Sequence, residues 1–421
     1  FDLGAEGAAL RAGDLGVGAV ASFVGTVRDR HGAQAGEVSA LELEHYPGMT
    51  ERAIEAMIDA AFGRFDIRAA RVVHRIGPLA PGDQIVLVVV SSAHRGDAFQ
   101  ACEFLMDYLK TQAPFWKKET TPEGARWVDA RVADDEALAR WGITHRYYDP
   151  MNPQDLADKI GPATRLVWLE AAGSVTLEFP DLLAMVRICR QKGVVSALDN
   201  TWGAGLAFSP FDLTPGSDAP LAVDLTVHAL TKYPSGGGDV LMGSIVTCDA
   251  QMHMRLKLTH MRLGLNVGAN DAEAVLRGLP SIMLRYQAHD VAARTLATWA
   301  RSRGEFAQVL HPALSDSPGH AHWREVCHGA AGSAAGLFAV IVDARYSPQQ
   351  VDAFCDALQL FKLGFSWGGP MSLVVPYTLA QMRTAWPAHL RRGTVVRFST
   401  GLEAVADLQA DLEQALQRTL R

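Results

Sequence analysis

Hydrophobic and polar positions change their period several times along this chain, and the changes divide it. Residues 16–27 (GVGAVASFVGTV) and 37–44 (EVSALELE) read as strands, the second by alternation. Thr50 is placed to cap a helix running ERAIEAMIDAAFGRF, with Ala53, Met57, Ala60 and Ala61 on one face. Residues 68–74 and 84–90 are two more strands, joined through GPLAPGD, a turn rich in Gly and Pro. A second helix over 96–112 carries Ala98, Cys102, Leu105, Met106 and Leu109 on its inner face, and Pro114 stops it. RWVDA, 126–130, is a short closing strand. Strands and helices interleaved in this irregular way predict an α+β two-layer domain.

After about Trp141 the rhythm changes. Residues 166–169, 194–198 and 221–228 are apolar runs of the fully buried kind, with a helix over 182–192 between the first two. That pattern predicts a parallel sheet covered on both faces. Long helices follow over 250–262 and 271–303. From about 331 a smaller α+β unit begins: strand 336–342, helix 348–360, strands 373–376 and 394–399, helix 403–421. The expected divisions are 1–137, 138–330 and 331–421. The join, 134–143 (DDEALARWGI), has no Pro, Gly or Ser run of the linker type.

A chain of 421 residues is too long for one ordinary core, which agrees with this division. Apolar content of 48% and charged content of 20% are those of a soluble globular protein. A net charge of −7 gives no basis for non-specific nucleic-acid binding, so any anion site must be a local cluster. Five cysteines are scattered without paired spacing. This argues against a disulfide framework or a structural metal site, and predicts a reducing, cytoplasmic setting. The longest purely apolar run, 85–90, is far short of a membrane span, and no basic-plus-apolar leader opens the chain at Phe1.

Two places carry candidate chemistry. In the first, His94 and Arg95 follow an apolar strand and precede a helix, where free N–H groups favour anions. Lys110 ends that helix, and Lys117 and Lys118 follow the Pro114 break beside Phe115 and Trp116. Arg28 and Arg131, each after a strand, are candidates to complete the cluster. Lysines are mostly solvated, but rings interleaved with charges, Trp127 among them, point to an anion-binding pocket.

The segments LELEHYPGMTERA, HRIGPLAPGD, SSAHRGDAF, MDYLKTQAPFWKKE and RWVDAR, in that order, resemble the catalytic (large) subunit of molybdopterin synthase. The resemblance covers about residues 1–140. It implies conversion of cyclic pyranopterin monophosphate to molybdopterin, with sulfur delivered as a thiocarboxylate on the tail of a small ubiquitin-like partner subunit. It implies no cofactor for this domain. By matching positions it makes Lys110 and Lys117 the lysines at the reacting centre and Arg28, His94, Arg95 and Arg131 pocket residues. It places Thr26, Val27, Lys118 and Glu119 in binding segments.

In the second place, Asp199 ends the run VVSAL, and Lys232 follows DLTVHAL 33 residues later. Ligands of parallel sheets bind beyond the carboxyl ends of the strands, where both residues fall. A carboxylate there can hold a pyridinium protonated, and a lysine can form a Schiff base with an aldehyde cofactor. Thr231 offers a hydroxyl to a phosphate, and the glycines of PSGGGD permit close backbone approach.

The segments LDNTWGAGLAF, HALTKYPSGGGDVLMGS, FKLGFSWGGPMSLV and VVRFSTGLEAVADL resemble cystathionine β-lyase, of the Cys/Met-metabolism pyridoxal-phosphate enzymes of fold type I. The match covers about 138–421. It implies an α/β fold type I large domain, incomplete here, followed by the small C-terminal domain. It makes Lys232 the Schiff-base lysine, Asp199 the pyridine partner, Thr231 a phosphate ligand and Arg397 the clamp for a substrate carboxylate. Ser366 and Trp367 would line the substrate side. Family members carry a long section ahead of the segment resembling ITHRYYDPM, including a Gly-rich phosphate loop and a ring stacked on the cofactor. That section has no counterpart in 1–137. A motif expected as E-x-P-G-S reads EAAGS, with Ala172 in place of Pro, and SGHSD-type loops read SGGGD. These departures predict weak or no lyase activity and an exposed apolar edge.

The reading is thus a sulfurtransferase of molybdenum-cofactor biosynthesis with an appended lyase segment. The alternatives are a pyridoxal-phosphate β-lyase with an N-terminal passenger, and a fusion whose second half serves oligomerisation. Both family resemblances imply a homo-oligomer.

Overall fold

A computed structural model describes the chain except residues 28–39, 46–48, 112–114, 122–123, 128–137, 139–140, 266, 328–331, 383–385 and 421. Two compact units divide it, Phe1–Thr144 and His145–Arg421.

The first unit opens with a short helix that the sequence pattern did not flag, α1 (Leu3–Ala9), capped by the Asp2 carboxylate, which accepts the Ala5 N–H at 2.9 Å. The elements that follow are β1 (Ala19–Thr26), β2 (Ala40–His45), α2 (Met49–Arg64), β3 (Ile67–His74), β4 (Gly77–Leu79) and β5 (Gln84–Ser92). Then come α3 (Arg95–Thr111), β6 (Phe115–Thr121) and β7 (Gly124–Trp127). They form two antiparallel sheets, ordered β1-β5-β3 and β4-β2-β6-β7. β5 is central in the first, and its residues Leu87, Val88, Val89 and Val90 are fully buried. The predicted inner face of α3 is the real one: Ala98, Cys102, Leu105, Met106 and Leu109 pack into one core with Met57, Ala61, Val88 and Val90. This is the expected α+β arrangement.

Three local expectations change here. Thr50 lies inside the first turn of α2 rather than ahead of it, and Ala60 is exposed beside buried Ala61. The segment after Pro114, read only as following a break, is a strand, because Phe115–Thr120 pair residue by residue with β2.

The second unit begins with β8 (Leu166–Glu170), β9 (Val195–Asp199) and β10 (Leu225–Ala229), parallel and adjacent, with antiparallel β11 (Gly243–Val246) outside β10. The Leu182–Lys192 helix starts where the Asp181 carboxylate accepts the Ala184 N–H at 2.9 Å and ends at left-handed Gly193. It buries Leu182, Leu183, Met185, Val186 and Cys189 in a core that also takes Val167, Leu169 and Leu198. A second sheet is ordered β12 (Phe306–Leu310), β13 (Leu337–Asp343), β16 (Gly393–Ser399), β15 (Leu373–Tyr377), β14 (Lys362–Leu363). Residues of the Ile282–Ala300, Pro348–Asp356 and Val405–Thr419 helices share a core with it.

Two expectations fail in this unit. The helix read over 271–303 is broken into Ala269–Gly278 and Ile282–Ala300 by a 3₁₀ turn holding Pro280, whose nitrogen cannot donate. The parallel sheet is not covered on both faces along β8: Val167 and Leu169 are buried, while Leu166 and Trp168 remain 45% and 47% exposed.

Candidate functional site

In the first unit, Thr26 ends β1 after a register shift at Gly25. The next residue, Val27, is pinned by two backbone bonds: its N–H donates to the Asp83 carbonyl at 2.9 Å, and its carbonyl accepts the Gly82 N–H at 2.8 Å. This fixes the point from which Arg28 departs. His94 and Arg95 stand where β5 turns into α3, both exposed. The Ser92 hydroxyl accepts the His94 N–H at 3.1 Å and donates to the Asp66 carbonyl at 2.7 Å. Gly18 closes the same turn, since a Cβ there would lie 2.3 Å from the Ala93 carbonyl oxygen.

Arg95 is the first residue of α3, and Lys110 lies in its last turn. At 1.5 Å per residue they are about 22 Å apart along the axis. One copy of the helix therefore separates the His94–Arg95 pair from Lys110 rather than bringing them together. Lys117, Lys118 and Glu119 occupy successive positions on β6, opposite Leu43, Glu42 and Leu41. Arg28 and Arg131 lie outside the described residues, as do the side chains of Lys110, Phe115, Trp116, Lys117, Lys118, Glu119 and Trp127.

The second unit brings its predicted residues into one place. Asp199 ends β9 with β8 and β10 on either side, and its carboxylate accepts the Thr201 N–H at 2.9 Å. The Thr201 hydroxyl accepts the Ala229 N–H at 2.9 Å, tying the ends of the two strands together. Lys232 follows in a turn in which its N–H donates to the Ala229 carbonyl at 3.1 Å. Its ammonium donates to the Ser366 hydroxyl at 2.8 Å and lies 4.6 Å from the centre of the Trp367 ring. The Thr231 hydroxyl accepts the Met242 N–H at 3.4 Å.

Arg397, on β16, is 3% exposed, with its guanidinium 5.2 Å from the Trp367 ring centre and 5.5 Å from that of Tyr377. It donates to two backbone carbonyls, Ser174 at 2.8 Å and Phe365 at 2.6 Å. Burial and the neighbouring Arg397 charge bring the Lys232 amine down to about 8, against the opposing pull of Asp199. Burial likewise lowers His228, and the Asp199 carboxylate works in the other direction. His228 and Tyr377 were not singled out from the sequence. A histidine beside Val227, the register partner of Asp199, was the available signal for the first. Tyr377 joins only through the second sheet. The Ala171–Ala172 bond is cis.

Comparison with known proteins assigns both units. The Cys/Met metabolism PLP-dependent enzyme family model matches residues 130–417, and the MoaE protein family model matches residues 1–112. The molybdopterin synthase catalytic subunit of Ralstonia nicotianae is 66% identical over 143 residues, 34% of this chain and 80% of that protein. Cystathionine β-lyase of Bordetella avium is 37% identical over 284 residues, 68% of each chain. Among solved structures, cystathionine γ-synthase from Xanthomonas oryzae pv. oryzae in complex with aminoacrylate and cysteine aligns with a TM-score of 0.58. That alignment has 28% identity and covers 69% of this chain and 73% of that one. The chain is thus a fusion that belongs to the MoaE family in its N-terminal part and to the Cys/Met metabolism PLP-dependent enzymes over the remainder.

Proposed function

We propose that this protein is the catalytic subunit of a molybdopterin synthase, moving sulfur from a thiocarboxylated small carrier subunit to cyclic pyranopterin monophosphate. The observation that carries this reading is the 66% identity to the Ralstonia subunit over four-fifths of its length. A cyclic phosphate and a thiocarboxylate are both anionic. Fixed cations and N–H donors stabilise the negative charge that develops between them. A lysine begins near 10.4, and neighbouring cations lower it into the range useful for proton transfer. We assign proton transfer and substrate positioning to Lys117, and the carrier's thiocarboxylate tail to Lys110.

The length of α3 adds a condition. Since one copy holds His94 and Arg95 about 22 Å from Lys110, a shared pocket needs the pair from one copy and the lysines from another. A homo-oligomer is therefore part of the reading. The test is reconstitution of the full chain with thiocarboxylated carrier and cyclic pyranopterin monophosphate, measuring molybdopterin formed. Lys117→Ala should lower the rate at least about 100-fold, and Lys110→Ala should weaken use of the carrier. Product formation undiminished in both variants would overturn the assignment, and none from the unaltered chain would overturn the function.

A second reading, carbon–sulfur lyase chemistry in the second unit, is favoured by the lowered Lys232 amine beside Asp199, Thr231 and Arg397. This donor set fits pyridoxal phosphate: Lys232 for the aldehyde, Asp199 for the ring nitrogen and Thr231 for the phosphate. When bound, that group supplies the electron sink that weakens bonds at an amino-acid α-carbon. Ser366 holds the Lys232 nitrogen in place, and Arg397 is set to orient a substrate carboxylate. We read 138–330 and 331–421 as the large and small parts of this fold. The chain spans 68% of the Bordetella lyase, and the reading keeps lyase activity weak or absent.

A further inference from the structure

Away from Asp199 and Lys232, the Leu182–Lys192 helix and the loop over 212–221 border a cavity of about 250 Å³. Arg187, Arg190 and Gln191 line one side, spaced three and four positions apart and so on one helix face. Thr214, Ser217 and Leu221 line the other. The cavity lies at the far edge of the parallel sheet: the helix ends just before β9 starts at Val195, and Leu221 just precedes β10. Asp199 closes β9 about 13 Å further along.

The loop wall is set by its own hydrogen bonds. The Leu213 N–H donates to the Leu221 carbonyl at 2.8 Å, and the Ser217 N–H donates to that of Thr214 at 3.1 Å. The Thr214 hydroxyl accepts the Leu221 N–H at 2.9 Å, which leaves its own O–H to donate. No carboxylate lines the cavity, and none among the described residues forms an ion pair with Arg187 or Arg190. Asp224, just ahead of β10, is taken up by the Ser196 N–H and hydroxyl, both at 2.7 Å. Arg190 lies in the last turn of its helix, but offsetting the helix dipole uses only part of this charge. The dipole amounts to about half a negative charge, against two guanidinium groups.

We propose that this cavity binds a phosphoryl dianion, with Arg187 and Arg190 donating to its oxygens and the Thr214 hydroxyl adding a third donor. The class follows from the donors. A guanidinium grips two oxygens at a time, so two of them and a hydroxyl suit three terminal oxygens better than a carboxylate's two. The volume falls just under the usual range of small-molecule sites, and buried Leu221 gives a short organic part an apolar surface. A small phosphomonoester is therefore expected to bind more tightly than inorganic phosphate. The site uses none of the residues of the two readings above and stands apart from both.

The test treats the full chain with phenylglyoxal, which modifies unshielded guanidinium groups, at fixed ionic strength because exposed charges are screened by salt. Peptide mapping should show Arg187 and Arg190 shielded as glycerol 3-phosphate is added, approaching about tenfold at ten times the dissociation constant. Exposed Arg262 should react unchanged. Weaker shielding by inorganic phosphate would support the ester, and equal shielding would support the same site with the free ion as its occupant. No shielding by either compound, or equal shielding of Arg262, would overturn the proposal. In calorimetry the double variant Arg187→Gln, Arg190→Gln should bind one glycerol 3-phosphate fewer per chain than the unaltered protein, and an unchanged count would also overturn it.

Discussion

At Gly368 the backbone carries φ of +75°, and a Cβ would sit 2.9 Å from the Tyr233 nitrogen and 3.2 Å from the Lys232 carbonyl carbon. The absent side chain is what lets the Ser366–Trp367 segment close on Lys232. Lys232 and Asp199 were legible in the sequence because each follows an apolar run. That Lys232 meets Ser366, 134 positions away, was not readable from pattern or spacing and came only with the family resemblance. Buried histidines likewise escape sequence reading. Neither nitrogen of His289 has a hydrogen-bond partner among the described residues, nor does Nε2 of His311. Burial, reinforced by Arg285 and Arg294 respectively, brings them down to about 4 and about 3. The unfolded chain, with imidazoles near 6.5, binds these protons more readily, so stability rises with pH through this window. It is fully present above about pH 6.5 and falls as pH drops towards 4 and below, by at most about 1.4 kcal/mol per pH unit for each group. Thermal unfolding of the second unit at pH 7 and pH 5 should show the loss. His289→Leu should make the dependence shallower, and an unchanged slope would remove His289 from the account.

Among the elements, β8 shows where pattern reading stops. Its residues LVWLE read as a buried run, because Leu, Val and Trp look alike whether one face is covered or two. The fold uses alternation instead, with Val167 and Leu169 inside and Leu166 and Trp168 half exposed. The Ala250–Arg262 helix has no buried residue at all, although Met252, Met254, Leu256, Leu258 and Met261 lie along it. By contrast the Leu182–Lys192 helix was read with both ends correct, because its Asp cap and Gly stop are local signals. β6 was missed because its partner residues on β2 lie 70 to 80 positions away. The uneven burial of β8 predicts opposite outcomes for adjacent positions. Leu169→Ala should cost about 2–5 kcal/mol in denaturant unfolding of the second unit, as cavities in packed cores do. Trp168→Ser should cost under about 1 kcal/mol and lower the binding of an apolar dye. Equal losses at both positions would show that Trp168 is covered after all.

On the scale of the whole molecule the chain divides into two compact units. Each has its own cores: one set is drawn from residues 21–109, the other from 156–420. The sulfur transfer we propose for the first unit relies on lysines on α3 and β6. In the second, burial and the Arg397 charge lower the Lys232 amine to about 8. The family of each unit was legible because its motifs are long and contiguous. The composite pocket we propose was not, because a sequence does not show that a 17-residue helix holds its two ends too far apart to meet. Two independent sites predict a crossed result. Lys117→Ala should lower molybdopterin formation at least about 100-fold and leave the binding of added pyridoxal phosphate unchanged. Lys232→Ala should abolish covalent binding of added pyridoxal phosphate and leave molybdopterin formation within about twofold of the unaltered chain. A large effect of Lys232→Ala on sulfur transfer would mean that the second unit supports the first, and the fusion would then be one enzyme rather than two chemistries on one chain.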